Sequence, residues 1–293
     1  IDLMLGQMGA TIGDVGRADV ERELGLDQPI FLQYGRWIGV VPGDDGDVSG
    51  LLQGDLGNSL WTRSPVSWEI TPRWPITLAL GIMGIIIAIL IAMPIGILSA
   101  ARQNTLGDYV GRSFAVMTMS VPDFWLGTMV VVFPSVWWSW SPPLILVRFA
   151  EDPIGNLQMF LIPAIVLGLA FSGILMRLTR TAMLDVLRQD YVRAAWAKGL
   201  RERAVIIRHS LKNALIPVVT LVGTRVPLLV GGSVIIERIF GLPGLGRLLV
   251  DSVTLRDYPI VSAIALIYAI VTLLSNLVVD LTYAILDPRI RHS

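Results

Sequence analysis

Five stretches of this chain are nearly free of charge, and each is long enough to cross a bilayer. The run between Arg73 and Arg102 covers 28 residues with no charge. Ser113 to Val147 holds only Asp123, Pro153 to Met176 none, Asn213 to Ile236 only Arg225, and Tyr258 to Val279 none. At about 1.5 Å per residue, roughly 20 apolar residues cover a hydrocarbon core of about 30 Å. Inside lipid a segment must satisfy its own backbone amides, so such runs become helices. The rest of the composition agrees: 16% of the 293 residues are charged, against about 25% in soluble domains. The chain is read as an all-α polytopic membrane protein with five transmembrane helices. Basic and acidic residues balance at 23 each, which leaves no footprint for nucleic acid. The absence of cysteine excludes disulfides, Cys-ligated zinc and a thiol nucleophile.

Basic residues in short connections mark the cytoplasmic side. Segments 102–112, 177–212 and 286–293 carry two, nine and two Lys/Arg, while the intervening connections carry only Arg148, Arg238, Arg247 and Arg256. The first group is expected to be cytoplasmic, with the C-terminus inside. Residues 1–75 then form an extracytoplasmic (periplasmic) segment, and 76–293 a transmembrane domain. Trp74, Trp137, Trp138 and Trp140 fall at the outer ends of two runs, where indole rings favour the headgroup layer. An external N-terminus before five spans predicts a sixth helix upstream of Ile1.

The external segment reads as a helix around Ala18–Leu24, a stop at Gly25–Pro29 and an amphipathic helix around Ile30–Val41. Pro42–Ser49 is a turn-forming polar loop. Its Asp44, Asp45 and Asp47 lack the later glutamate that a calcium loop requires, so it is read as solvated.

The 177–212 connection is long and patterned. Ala182–Leu187 continues a helix out of the membrane, and Asp190–Lys198 is alanine-rich with Asp at its start and Lys at its end, both suited to the helix dipole. Gly199 stands where a left-handed residue ends a helix, and Glu202–Leu215 reads as a further helix leading into the next span. A helix–turn–helix too short to bury itself points to a partner protein. A basic helix lying on anionic lipid is the other reading.

The run Asp190-Tyr191-Val192-Arg193-Ala194-Ala195-Trp196-Ala197-Lys198-Gly199, with His209, Asn213, Ala214 and Pro217 after it, resembles the cytoplasmic coupling loop of ABC-importer permeases of the dipeptide/oligopeptide/nickel branch. Leu24–Pro29, Gly54–Gly57, Ser120–Pro122, Glu237–Gly246, Arg256–Pro259 and Asp280–Arg291 carry the same likeness. The resemblance implies a type I ABC-importer-like permease bundle in a bacterial inner membrane. It implies a second homologous permease, two ATP-binding cassette ATPase subunits holding ATP and Mg, and an extracytoplasmic solute-binding protein. It makes Tyr191, Arg193, Ala194, Ala195, Trp196, Lys198 and Gly199 the ATPase-coupling residues, with the two alanines allowing close approach and Gly199 setting the turn. Arg193 departs from the general importer loop, where Glu is usual, as do Trp196 and His209. The Pro42–Ser49 loop looks inserted. The solute class implied is small peptides, with nickel chelates, glutathione and some sugars also within the family. The connection Glu237–Pro259 is expected to help form the surface that meets the binding protein.

The chain is expected to need no cofactor and to hold no metal of its own. Its only lysines, Lys198 and Lys212, lie outside any phosphate-binding G-x-x-x-x-G-K-[ST] loop, so ATP hydrolysis is assigned to another polypeptide. Ser172 sits in a span, but no span holds a histidine or lysine to serve as its base; it is read as a small packing residue. Asp123, Arg225 and Asp280 are the ionisable residues of the spans, a class that usually faces a bundle interior or a water-filled path. Asp123 and Arg225 are placed at similar depth, open to pairing or to a shared polar surface, and Arg225 is expected to border the solute path. Asp280 is expected to orient the last helix. An ion-coupled secondary transporter is the rival reading; it would have no use for the Tyr191–Gly199 loop.

Overall fold

The computed structural model describes residues 27–43, 46–143, 146–147 and 149–286. The helix expected at Ala18–Leu24, Asp44 and Asp45 of the polar loop, and the basic residues after Asp287 lie outside them. Two compact units are present. The first takes in the described part of Ile1–Glu69 together with Asp257–Ala263; the second takes in Ile70–Arg256 and the described part of Ile264–Ser293.

In the first unit α1 (Ile30–Ile38) ends earlier than its amphipathic pattern suggests, because Gly39 turns left-handed at φ 86°. Its amide reaches back to the carbonyls of Gly35 and Arg36, and Gly50 packs against its backbone so closely that a side chain at Gly39 would press on the Gly50 Cα at 3.2 Å. Asp257 belongs to this unit despite its place in the sequence. Its buried carboxylate accepts from the Ser59 hydroxyl and, at 3.2 Å, from the Leu60 amide.

The second unit is built on two long helices. The short helix α2 (Val66–Ile70), all but its last residue in the first unit, leads into α3 (Trp74–Ala101), which packs along α6 (Pro153–Leu187). Pro153 stands in the first turn of α6, where its missing N–H costs nothing. The Asp152 carboxylate accepts from the amides of Ile154 and Gly155 at 3.1 and 2.9 Å, satisfying donors that the helix start leaves open. The buried face of α3 is a stripe of small residues, Gly81, Gly84, Ala88, Ala92 and Gly96. Lipid tails are as apolar as leucine, so close backbone contact rather than water exclusion drives helices together in a membrane. A side chain at Gly96 would sit 2.9 Å from the Met176 carbonyl, and one at Gly168 2.9 Å from the Gly84 carbonyl. Ser172 is wholly buried in α6 and donates to the Leu169 carbonyl at 2.8 Å. That is the bonding of a small packing residue, which satisfies itself within its own helix.

The remaining helices are α4 (Leu106–Ser120), α5 (Asp123–Trp138), α7 (Asp190–Ala197), α8 (Lys212–Gly232), α9 (Val234–Ile239), α10 (Leu245–Leu255) and α11 (Tyr258–Leu286). Four segments among the described residues are long and apolar enough to span a membrane, and a fifth if α4 and α5 are one broken span. That pair corrects the expectation of a single helix after Ser113, for α4 and α5 are bent by 89°. Pro122 explains the break: it lacks an N–H and disfavours helical geometry at Val121, which is extended at φ −91° and ψ 120°. A second correction concerns Glu202–Leu215. Residues Val205–Leu211 are π-helical rather than α-helical, and the buried Ser210 hydroxyl donates to the Val205 carbonyl, five residues back, at 3.1 Å.

Candidate functional site

The loop singled out in the sequence forms a short helix held on one side only. Helix α7 starts after the extended Gln189 (ψ 149°) and ends when Gly199 goes left-handed at φ 74°. The Gly199 amide donates to the Trp196 carbonyl at 2.9 Å and Lys198 to Ala194 at 3.1 Å, satisfying the last turn. Val192 and Ala195, three apart and so on one face, are buried against Val205, Val186 and Leu187. The element therefore does bury part of itself, which an isolated reading of its length did not anticipate.

The other face is bare. Tyr191 is 45% exposed, Trp196 43%, and the Arg193 side chain 72%; Ala194, Lys198 and Gly199 are exposed as well. This divides the seven residues named from sequence. Ala195 is directed into the chain's own interior, because Val205 at the start of the π-helical segment packs beside it, whereas Ala194 is the alanine that leaves room for an approaching surface. Tyr191 is not free to swing away: its hydroxyl accepts from the Asn213 side-chain amide at 2.7 Å, tying α7 to the head of α8. Arg193 makes only a loose pair with Asp190 at 3.7 Å, between two well-exposed side chains and so of little energetic worth.

Asp123 and Arg225 are not brought together. No ion pair joins them among the described residues. Asp123 stands at the α4–α5 bend, where its carboxylate accepts from its neighbour's amide, Phe124, at 2.7 Å. Arg225 is half-buried in α8. Asp280 lies exposed on α11.

Two buried carboxylates that sequence reasoning passed over organise the bundle instead. Asp108 is 0% exposed. It takes Arg180 through two bonds, Nε to Oδ1 at 2.8 Å and Nη2 to Oδ2 at 2.9 Å. It also accepts from the Ser99 hydroxyl and the Asn104 amide, joining α3, α4 and α6 at one level. Glu237 is likewise 0% exposed. Oε1 accepts from the hydroxyls of Thr77 and Ser233, each at 2.8 Å, and Oε2 from the Arg247 amide at 2.9 Å. Thr77 in turn accepts from the Leu245 amide at 2.8 Å. Both acids stand in connections rich in charge, so nothing in local composition separated them from solvated residues. The available signal was a hydroxyl inside an uncharged run, Thr77 for Glu237 and Ser99 for Asp108.

Comparison with known proteins places this geometry. Residues 92–292 match the family model described as the binding-protein-dependent transport system inner membrane component. The chain is 42% identical to the glutathione transport system permease protein of Salmonella paratyphi A, over 93% of this chain and 83% of that one. It is 38% identical to the dipeptide transport system permease protein of Escherichia coli K12, over 99% and 89%. To the oligopeptide transport system permease protein of Bacillus subtilis it is 38% identical, over 99% and 90%. Among solved structures it resembles the inward-facing methionine ABC transporter, with a TM-score of 0.58 and 17% identity over 75% of this chain and 96% of that one. An amino acid ABC transporter gives 0.56 and 17%, over 74% and 93%. These two likenesses speak to the fold.

Proposed function

The chain belongs to the family of binding-protein-dependent transport system inner membrane components, and from that premise we propose how it couples and what it carries. It is a permease subunit of an ABC importer and not an enzyme, which decides against an ion-coupled carrier. Two ATPase subunits, holding ATP and Mg, dock on α7, and a second homologous permease completes the solute path. A solute-binding protein delivers the cargo from the side opposite α7, where the turn between α9 and α10 contributes to its landing surface. The C-terminus shares the cytoplasmic side with α7. Small peptides are the cargo, the chemistry common to what the glutathione, dipeptide and oligopeptide relatives are named for.

One observation carries the coupling role: α7 is anchored by Val192 and Ala195 while Tyr191, Arg193, Ala194, Trp196 and Lys198 face outward. An anchored helix transmits a push to α6 and α8; a loose one would absorb it. Closure of the ATPases on ATP then biases a two-state bundle toward one facing.

Ala194→Arg tests this. The substitution is exposed, so it leaves the chain's own packing alone and obstructs only a docked partner. When the complete importer is purified through a tag on this chain, the parent is expected to retain the ATPase and the variant to lose it by tenfold or more, a change of about 1.4 kcal/mol. Retention of the ATPase by the variant at parental level would remove α7 from the interface. A separate expectation concerns Arg225, half-buried in a span and unpaired among the described residues. Arg225→Gln is expected to lower peptide uptake in proteoliposomes by about tenfold, the worth of one charge-assisted hydrogen bond; an unchanged rate would take Arg225 off the path.

A further inference from the structure

Beside the Asp108–Arg180 pair, between α4 and α6, lies a cavity of about 570 Å³, a volume typical of small-molecule sites. Arg112, Arg177 and Arg180 line it. Among the described residues a single carboxylate answers them: Asp108 holds Arg180 through both oxygens and stands 3.4 Å from Arg112. Arg177 is exposed and makes no ion pair among the described residues. Three guanidinium groups therefore share one counter-charge, and the cavity carries an excess of positive charge.

Away from the arginines the lining is mostly apolar, the hydroxyls of Ser99, Ser120 and Thr181 being already bonded to Asp108 and to carbonyls of their own helices, and it is ordered by depth. Helices α4 and α6 run antiparallel here, since Asp108 meets Arg180 while a side chain at Gly173 would lie 2.8 Å from the Ala115 carbonyl and from the Met119 Cγ. The arginines thus stand at one level, on the side where α6 leads out to α7. From Arg112, the lining residues Ala115, Val116 and Met119 continue along α4 for about 10 Å at 1.5 Å per residue. Met176, one residue before Arg177 on α6, lines the cavity where the arginine end meets this wall. A free phosphate would find its charge satisfied at the arginine end and leave that apolar wall bare. An amphiphile with an anionic head uses both.

We infer that this cavity holds an anionic phospholipid, its phosphate between Arg112 and Arg177 and an acyl chain along Val116, Met119 and Met176. Guanidinium groups bind phosphate oxygens in pairs, and a basic pocket between spans at the cytoplasmic end is where acidic headgroups collect. The bilayer supplies the ligand at high local concentration. Bound there, the lipid braces α4 against the end of α6 that continues into α7.

The test uses the full chain in its importer complex, with phosphatidylglycerol as the probe and native mass spectrometry as the readout. Phosphatidylglycerol is expected to survive delipidation on the parent, phosphatidylcholine is not, and millimolar inorganic phosphate is expected to leave the bound lipid in place. Arg112→Gln with Arg177→Gln is expected to weaken retention about thirtyfold, at about 1 kcal/mol for each arginine. Arg177→Gln alone, which removes no ion pair or side-chain hydrogen bond among the described residues, should give a smaller loss in the same direction. Arg188→Gln with Arg201→Gln removes equal charge from exposed positions outside the cavity and should change nothing. Equal retention by the Arg112/Arg177 variant and the parent would overturn the proposal. So would equal retention of both lipids, or displacement by phosphate, which would mark a site for a free anion.

Discussion

Glu237→Leu is expected to destabilise the protein by about 3 kcal/mol, the cost of leaving buried donors without their acceptor. The reason lies in how α10 begins. Its N-cap is Gly244, which has no side chain to offer the open amides of the first turn. Glu237 supplies the missing acceptor from the preceding helix, taking the Arg247 amide, while Thr77 takes the Leu245 amide. A carboxylate also suits the positive end of a helix dipole. Gly244 cannot grow to do the job itself, because a side chain there would stand 2.5 Å from both Glu237 oxygens. Once Glu237 is shortened, however, the space opens. Gly244→Ser in a Glu237→Ala background is therefore expected to recover about 0.3 kcal/mol over Glu237→Ala alone, the difference between a serine and a glycine N-cap; Gly244 already has the extended backbone that such a cap uses, φ −93° and ψ −177°. Thermal unfolding in detergent, followed by tryptophan emission, measures both. Asp251→Asn serves as the control, since Asp251 makes only half-exposed pairs with Arg238 and Arg247 at 3.9 and 3.8 Å; it should shift stability by no more than about 0.5 kcal/mol. A Glu237→Leu protein that melts with the parent would refute the capping role.

Asp108→Ala is expected to cost about 3–5 kcal/mol, the penalty for stripping a buried charge of its partner. The lost carboxylate leaves the Arg180 guanidinium, whose side chain is 17% exposed, facing Ser99 and a largely apolar wall. Replacing both residues by leucine should recover most of the loss, because a buried pair and well-packed apolar residues are often equivalent in stability. The same unfolding measurement on the two single variants and the double variant gives the coupling energy directly. Additive losses, with no recovery in the double variant, would show that Asp108 and Arg180 do not act as a pair.

These two acids also show where local reading stops. The five charge-poor runs, the proline-marked start of α6 and the Gly199 stop of α7 were legible because each depends on a short stretch of chain. The helix break at Pro122 was equally local, yet an apolar run of that length concealed it: hydropathy counts residues and does not register a missing amide. Ala194 and Ala195 look alike in sequence. One is buried and the other bare only because Val205, ten residues on, fills the space beside Ala195.

The sequence alone determined the class of the protein, its membrane-crossing segments and the likeness of its loop to an ATPase-coupling element, since charge and hydrophobic length act residue by residue against a solvent of known thickness. Tertiary structure alone decided which charges are buried. Glu237 and Asp108 read as ordinary connection residues until Thr77 is found beside one and Ser99 with Arg180 beside the other, across separations of 160 and 72 positions for Thr77 and Arg180. A carboxylate's partners are chosen by the packing of helices, and no window along the chain contains them.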